Sequence, residues 1–350
     1  MLVRSAVLLI ALLVYLIPDT GFAQQNLTMP MDSPYAQVVQ RIGLTDITIT
    51  YHRPGVKDRK IWGGLVPYDQ VWRAGANDNT TIAFTDPVSI AGKEIPAGSY
   101  GLHIIPATGD WTVVLSSVYY AWGSFSYDEN EDVLRFTVKP VAMTDLTERL
   151  IYYFDNPTDN AVDVVMQWEK VKITFPVTVN VKDAVLKNIR MELRSLPRFF
   201  WQPWNQAANY CLQNDINLEE AMTWVDRSIA MNENFNNLRV KAGLLEKQGQ
   251  KAQADELMKK GIAIASEAEL NIYGYQLLGR GEPDQAIEMF KLNIERHPDS
   301  WNVYDSLGEA YAQKGQTKLA IEYYQKALDM VNLDNHKKRI EDILKNLKAQ

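Results

Sequence analysis

The chain has 350 residues, 46% hydrophobic and 23% charged, with one cysteine and a formal net charge of −7. The acidic balance, 43 Asp and Glu against 36 Lys and Arg, argues against nucleic-acid partners, because neutralising phosphates requires a basic face. The lone Cys211 excludes an intramolecular disulfide and any zinc site built from thiolates, and reads as a small apolar residue in a helix seam.

Met1–Arg4 is a short basic start, Ala6–Ile17 an unbroken apolar run, and Gly21-Phe22-Ala23 offers small residues after Pro18. That order describes a secretory signal peptide over residues 1–23, cleaved after Ala23. The run is too short for a spanning helix, which needs roughly 20 apolar residues. No cysteine follows it to carry a lipid. The expectation is a periplasmic or secreted protein with no stable membrane insertion after cleavage. What remains is long enough for two domains.

Gln24–Pro34 reads as a lead-in. From there to Val181 the chain breaks into short β-rich runs separated by Gly, Pro, Asn and Asp. In Asp46–Tyr51, Ile47, Ile49 and Tyr51 share one face. Thr80–Thr85, Val88–Ile90, Glu94–Pro96, Gly98–Ile105, Trp111–Ser116, Val133–Val138 and Leu150–Phe154 follow. Val162–Trp168 has a period of two, as a half-buried strand requires, and Val171–Val179 closes the set. About nine strands without long crossovers predict an antiparallel sandwich or barrel over residues 24–181.

After Lys182 glycine thins out and Leu, Ala, Lys, Glu and Gln take over. Ala184–Leu196 predicts a connecting helix. Gly249, Gly281 and Gly315 each precede an alanine by five positions, at Ala254, Ala286 and Ala320, and Ala221 fits one unit further back. Phe290 and Tyr324 also lie 34 apart. A period near 34 with small residues in register predicts stacked helical hairpins over residues 202–334, within a helical domain spanning 182–350. Ile340, Ile343, Leu344 and Leu347 share one face of a Lys-rich terminal helix, which would cap the stack.

These repeats resemble the tetratricopeptide repeat, which implies a superhelix with a protein- or peptide-binding groove. First-helix residues off the packing seam would line that groove: Asn236, Arg239, Asn271, Tyr275, Asn302, Asp305 and Glu309. The Lys/Asn pattern with which some members clamp a terminal carboxylate is missing. The first half is similar to the bacterial DUF2911 family, a domain of unknown function. The resemblance runs from Ser33 to about Val141 and rests on Ser33-Pro34, Tyr51-His52-Arg53-Pro54 with Lys57 and Arg59, Ile61-Trp62-Gly63, Leu65–Tyr68, Val71–Asn77, Ile95–Tyr100, Trp111-Thr112 and Trp122-Gly123. It names a domain and implies no chemistry.

The densest unusual stretch is Tyr51–Asn77, with His52, Arg53, Lys57, Arg59, Trp62, Trp72, Arg73 and Asn77. Arginine forks bind carboxylate or phosphate, and aromatic faces stack on sugars or planar groups. These residues are therefore candidates for a small anionic or carbohydrate-like ligand, with Trp62, Trp72 or Trp122 as platforms. In the bland alternative the tryptophans are core, the arginines pair with Asp58 and Asp69, and the glycines make turns. His52 and His103 fall short of the three protein ligands of a catalytic zinc. Asp128, Glu129, Glu131 and Asp132 lack the spacing of a calcium loop. Ser116, Ser117, Ser124 and Ser126 sit in no nucleophile elbow, and no phosphate-cradling loop occurs. No metal or cofactor is expected. The expected function is non-enzymatic binding or scaffolding. The alternative is a hydrolase with its site among His52, Arg53, Arg73 and Asn77.

Overall fold

The computed structural model describes residues 29–349, so the expected signal peptide lies outside the described residues. Two compact units divide between Leu186 and Lys187.

The first unit holds two antiparallel sheets. The larger runs β1-β2-β3-β6-β7-β8, with β1 Tyr35–Ile42, β2 Thr45–His52, β3 Thr81–Phe84, β6 Gly98–Ile105, β7 Trp111–Ser116 and β8 Asp132–Val138. The smaller runs β5-β4-β10-β9, built from β4 Val88–Ile90, β5 Lys93–Ile95, β9 Val141–Asp155 and β10 Ala161–Val179. Neither sheet closes on itself, so this is a sandwich and not a barrel. Ile47, Ile49, Leu102, Ile104, Val113 and Leu115 from one sheet share a core with Tyr152, Val164, Met166, Trp168 and Ile173 from the other.

Two differences from the sequence pattern have local causes. Strand β1 carries no apolar alternation, because seven of its eight residues are exposed or only half-buried; an edge strand buries little. Val162–Trp168 and Val171–Val179 form one strand, β10, interrupted by register shifts around Glu169, whose φ is +54°. A bulge keeps the strand paired while changing its twist.

The second unit is helical. It includes hairpins α2–α3 (Trp201–Asn214, Leu218–Met231), α4–α5 (Phe235–Lys247, Lys251–Ile264), α6–α7 (Glu267–Gly279, Pro283–Arg296) and α8–α9 (Trp301–Gln313, Thr317–Met330), then α10 (Asp334–Lys348). Helix α1, Val181–Glu192, stands where a connecting helix was expected. The turns inside the last three hairpins share one device. Gly249, Gly281 and Gly315 lie at φ +77°, +78° and +73°, and the next residue, at Gln250, Glu282 and Gln316, donates its N–H back to Leu245, Leu277 and Tyr311. That is the Schellman cap, which needs a left-handed residue and so favours glycine.

Ala221, Ala254, Ala286 and Ala320 are wholly buried in the seam between paired helices. Close approach is extreme at Gly274, where an added Cβ would stand 2.4 Å from Phe290 Cε1; at Gly308 it would stand 3.0 Å from Tyr324 Cγ. Ile340 and Leu344 pack α10 onto the end of the stack. Cys211 is buried within α2, and burial raises its thiol to about 11, leaving it unreactive.

Candidate functional site

The stretch from Tyr51 to Asn77 does not gather its charged residues into one pocket. Trp62 is buried against Trp72, Trp111 and Trp168, with ring centroids 5.7, 4.6 and 5.7 Å away, and Trp72 stacks on Trp168. Four tryptophans, two from strands β7 and β10 and two from the segment between β2 and β3, thus plug one region of the sandwich, so Trp62 and Trp72 serve as core and not as open platforms. The arginines do not pair with Asp58 or Asp69. Arg53 donates to the Leu150 carbonyl at 2.9 Å, Arg59 to those of Gly55 and Val56 at 2.6 and 3.1 Å, and Arg73 to that of Asn77 at 2.9 Å. Lys57 makes an exposed ion pair with Asp32 at 3.2 Å. His52 is buried, its ring edge-on to Tyr35. Asn77 donates to the Ser33 carbonyl.

Backbone strain runs through the same stretch. Lys57, Asp58, Asp69, Ala74 and Asn77 all have positive φ. Buried Ala74, at φ +52°, is held by its carbonyl, which accepts from Thr80 Oγ1 at 3.1 Å and Tyr152 Oη at 2.9 Å. An L-residue persists there because the surrounding bonds over-determine it. Lys57 and Arg59 are exposed, and half-buried Arg73 is the candidate that stands beside exposed aromatic rings. Its guanidinium lies 5.7 Å from the Trp122 ring and 6.0 Å from Phe125, and burial lowers its pKa.

In the repeats, equivalent positions of successive first helices face one another. Asn236 Nδ2 donates to Glu269 Oε1 at 2.8 Å, Tyr275 Oη to Glu309 Oε2 at 2.9 Å, and Arg339 Nη2 to both carboxylate oxygens of Asp305 at 2.7 Å. The pairs are 33 or 34 residues apart, so the bonds cross from one hairpin to the next. Asn302 stands half-buried at the start of α8.

The fifth residues of α2, α4, α6 and α8 and the sixth of α10 form a column of matching positions: Asn205, Arg239, Asn271, Asp305 and Arg339. Asn205 and Arg339 are the members that sequence reasoning missed, although the period of 34 carried one unit outward from Arg239 and Asp305 leads to them. At one end Asp305 and Arg339 satisfy each other. The rest is unsatisfied: Asn205 Oδ1 and Asn271 Oδ1 are buried without a hydrogen-bond partner. Arg239 is half-buried, and burial, followed by the Arg280 cation, pulls its pKa down. Arg239 takes part in none of the hydrogen bonds or ion pairs among the described residues. The face can therefore donate from the Arg239 guanidinium, while the two carboxamide oxygens are closed off from solvent.

Residues 33–177 match the family described as a protein of unknown function, DUF2911, and residues 302–330 match the tetratricopeptide repeat. The first unit therefore carries a DUF2911 domain and the second a tetratricopeptide repeat. Among solved structures, the chain is similar to the MamA protein, at 18% identity over 42% of this chain and 81% of that one, with a TM-score of 0.27. It is also similar to YrrB, "a TPR protein with an unusual peptide-binding site", at 18% over 46% and 83%, TM-score 0.28. A third is pilF of Pseudomonas aeruginosa, at 19% over 42% and 67%, TM-score 0.28. No curated protein matches the chain.

Proposed function

We propose that this is an exported binding and scaffold protein without a reaction of its own, in which the repeats engage a peptide segment of a partner and the β domain holds a small ligand. The observation that carries the first half is the half-buried Arg239 guanidinium, which has no hydrogen-bond or ion-pair partner among the described residues, with Asn205 and Asn271 at the matching positions of the neighbouring units. Such groups each cost on the order of 1–3 kcal/mol when left unsatisfied. A fold retains them where a ligand completes them. An extended peptide with an acidic side chain would supply a carboxylate to Arg239, so the partner segment is acidic.

The test is binding of the full chain to an array of peptides graded in acidity. Acidic extended peptides should bind, and Arg239→Glu should weaken them at least tenfold, about 1.4 kcal/mol. Equal binding by wild type and Arg239→Glu would refute the groove reading. Export rests on the basic, apolar and small-residue order of residues 1–23. N-terminal sequencing of the protein from its producing cell should begin at Gln24, and a chain retaining Met1 would contradict it. The hydrolase alternative has less behind it. The arginines of Tyr51–Asn77 are engaged by backbone carbonyls, and the stretch packs onto the tryptophan core.

A further inference from the structure

A polar cavity lies beneath the strip joining β7 to β8, on the face of β6 opposite the sandwich core. It is partly open to solvent, is lined by Asn79, His103, Ser116, Tyr127 and Glu131 among others, and has room for about one water molecule. His103, Asn79 and Ser116 are only 2%, 6% and 1% exposed. His103 Nδ1 is engaged by Ser124 Oγ at 3.0 Å, which leaves Nε2 facing the cavity. Asn79 Oδ1 is buried with no partner. Gly101 beside it has no room for a side chain: a Cβ there would stand 2.5 Å from the Val118 carbonyl oxygen, 3.2 Å from His103 Nε2 and 3.4 Å from Asn79 Nδ2. The His103 imidazole and the Asn79 carboxamide thus meet at the wall of one small polar space.

The lining is neutral or acidic. Burial holds His103 at about 4, so its imidazole is uncharged near neutrality. Asp132, beside the cavity, is occupied by Tyr127 Oη at 2.7 and 2.9 Å and by Arg135. The remaining carboxylate, Glu131, would repel an anion and would accept from hydroxyls. The Ser124–His103 pair is no nucleophile and base, because a buried imidazole of depressed basicity with no carboxylate at Nε2 takes protons poorly. Over the cavity the strip displays large rings to solvent: Tyr120, Trp122 and Phe125 are 80%, 64% and 80% exposed. Trp122 and Phe125 stack at 5.6 Å, with Arg73 beside both. So many exposed rings on one short strip mark a binding surface.

We propose that this strip and cavity form a saccharide site, in which a neutral sugar lies with its C–H face on Trp122 and points one hydroxyl into the cavity toward His103 and the Asn79 carboxamide. The proposal deepens the small-ligand half of the proposed function and rests on it. Recognition follows from complementarity: the inserted hydroxyl both donates and accepts, as the imidazole and carboxamide require, and the aromatic face covers the apolar side of the ring.

The test is calorimetric titration of the full chain with glucose, N-acetylglucosamine and their soluble oligomers, alongside glucuronate and glucose 6-phosphate. Saturable binding of a neutral sugar is expected, weakened at least tenfold by Trp122→Ala. That substitution removes an exposed ring, so the melting temperature should hold. Asn79→Leu should abolish binding, with the far-UV spectrum of the β unit as its check on folding. Neutral binding indifferent to Trp122→Ala would overturn the site. Binding of the anionic sugars alone would overturn the ligand class while leaving a small-ligand role for the domain. No binding of either kind would overturn both.

Discussion

Replacing Arg239 by Met should stabilise the helical unit while disabling its groove. The side chain is half-buried in α4 with no ion pair, and burial and Arg280 both work against its charge. A fully buried ion carries a penalty of several kcal/mol; partial burial brings that to about 1 kcal/mol. Met keeps the methylene stem that packs against neighbouring helices and removes the charge. For a unit of this size 1 kcal/mol corresponds to roughly 2–4 °C in melting temperature. Thermal unfolding of the full chain, followed by helical circular dichroism, should therefore move upward by that amount. Acidic-peptide affinity should fall at least tenfold. A melting temperature lowered by 2 °C or more would show that Arg239 holds the fold together, and the argument from its missing partner would fail.

Two glycines of α6 should respond in opposite directions. Gly274→Ala drives a Cβ into the Phe290 ring at 2.4 Å and should cost about 1–3 kcal/mol, whereas Gly279→Ala meets nothing within 4 Å and should gain about 0.5 kcal/mol; urea unfolding of both checks this. Because His103 titrates at about 4 when folded and near 6.5 when unfolded, the unfolded chain binds the extra proton first. The stability the neutral ring contributes is whole above pH 6.5 and drains away, by about 3 kcal/mol, as pH falls to 4. His103→Gln should flatten that part of the stability–pH curve. Arg339→Ala would strand the Asp305 carboxylate, whose side chain is 8% exposed. It should cost about 2 kcal/mol at neutral pH and less in acid, where the carboxylate protonates.

The repeats could be read directly because their determinants are local and periodic. A left-handed cap at Gly249, Gly281 and Gly315 and a buried alanine five residues on recur with the hairpin, so one unit announces the next. The positions expected to line a groove follow the same period, which also points to Asn205 and Arg339. The β domain was legible as strands but not as a site. Clustered Arg and Trp in Tyr51–Asn77 looked like ligand chemistry, yet composition cannot say where a side chain points. Chain geometry turned Trp62 and Trp72 into a plug with Trp111 and Trp168 and aimed the arginines at carbonyls.

The amino-acid order by itself determined two halves of different class, the hairpin period, the seam and the inner column, since each depends on residues within one or two helices. Only the tertiary structure decided the cavity. Asn79, His103, Ser116 and Ser124 come from a loop, two neighbouring strands and the strip beyond them, and no spacing along the chain relates them. Their chemistry arises from pairing β6 with β7 and folding the strip back over both, which strips water from a histidine and an asparagine that would otherwise be ordinary surface groups.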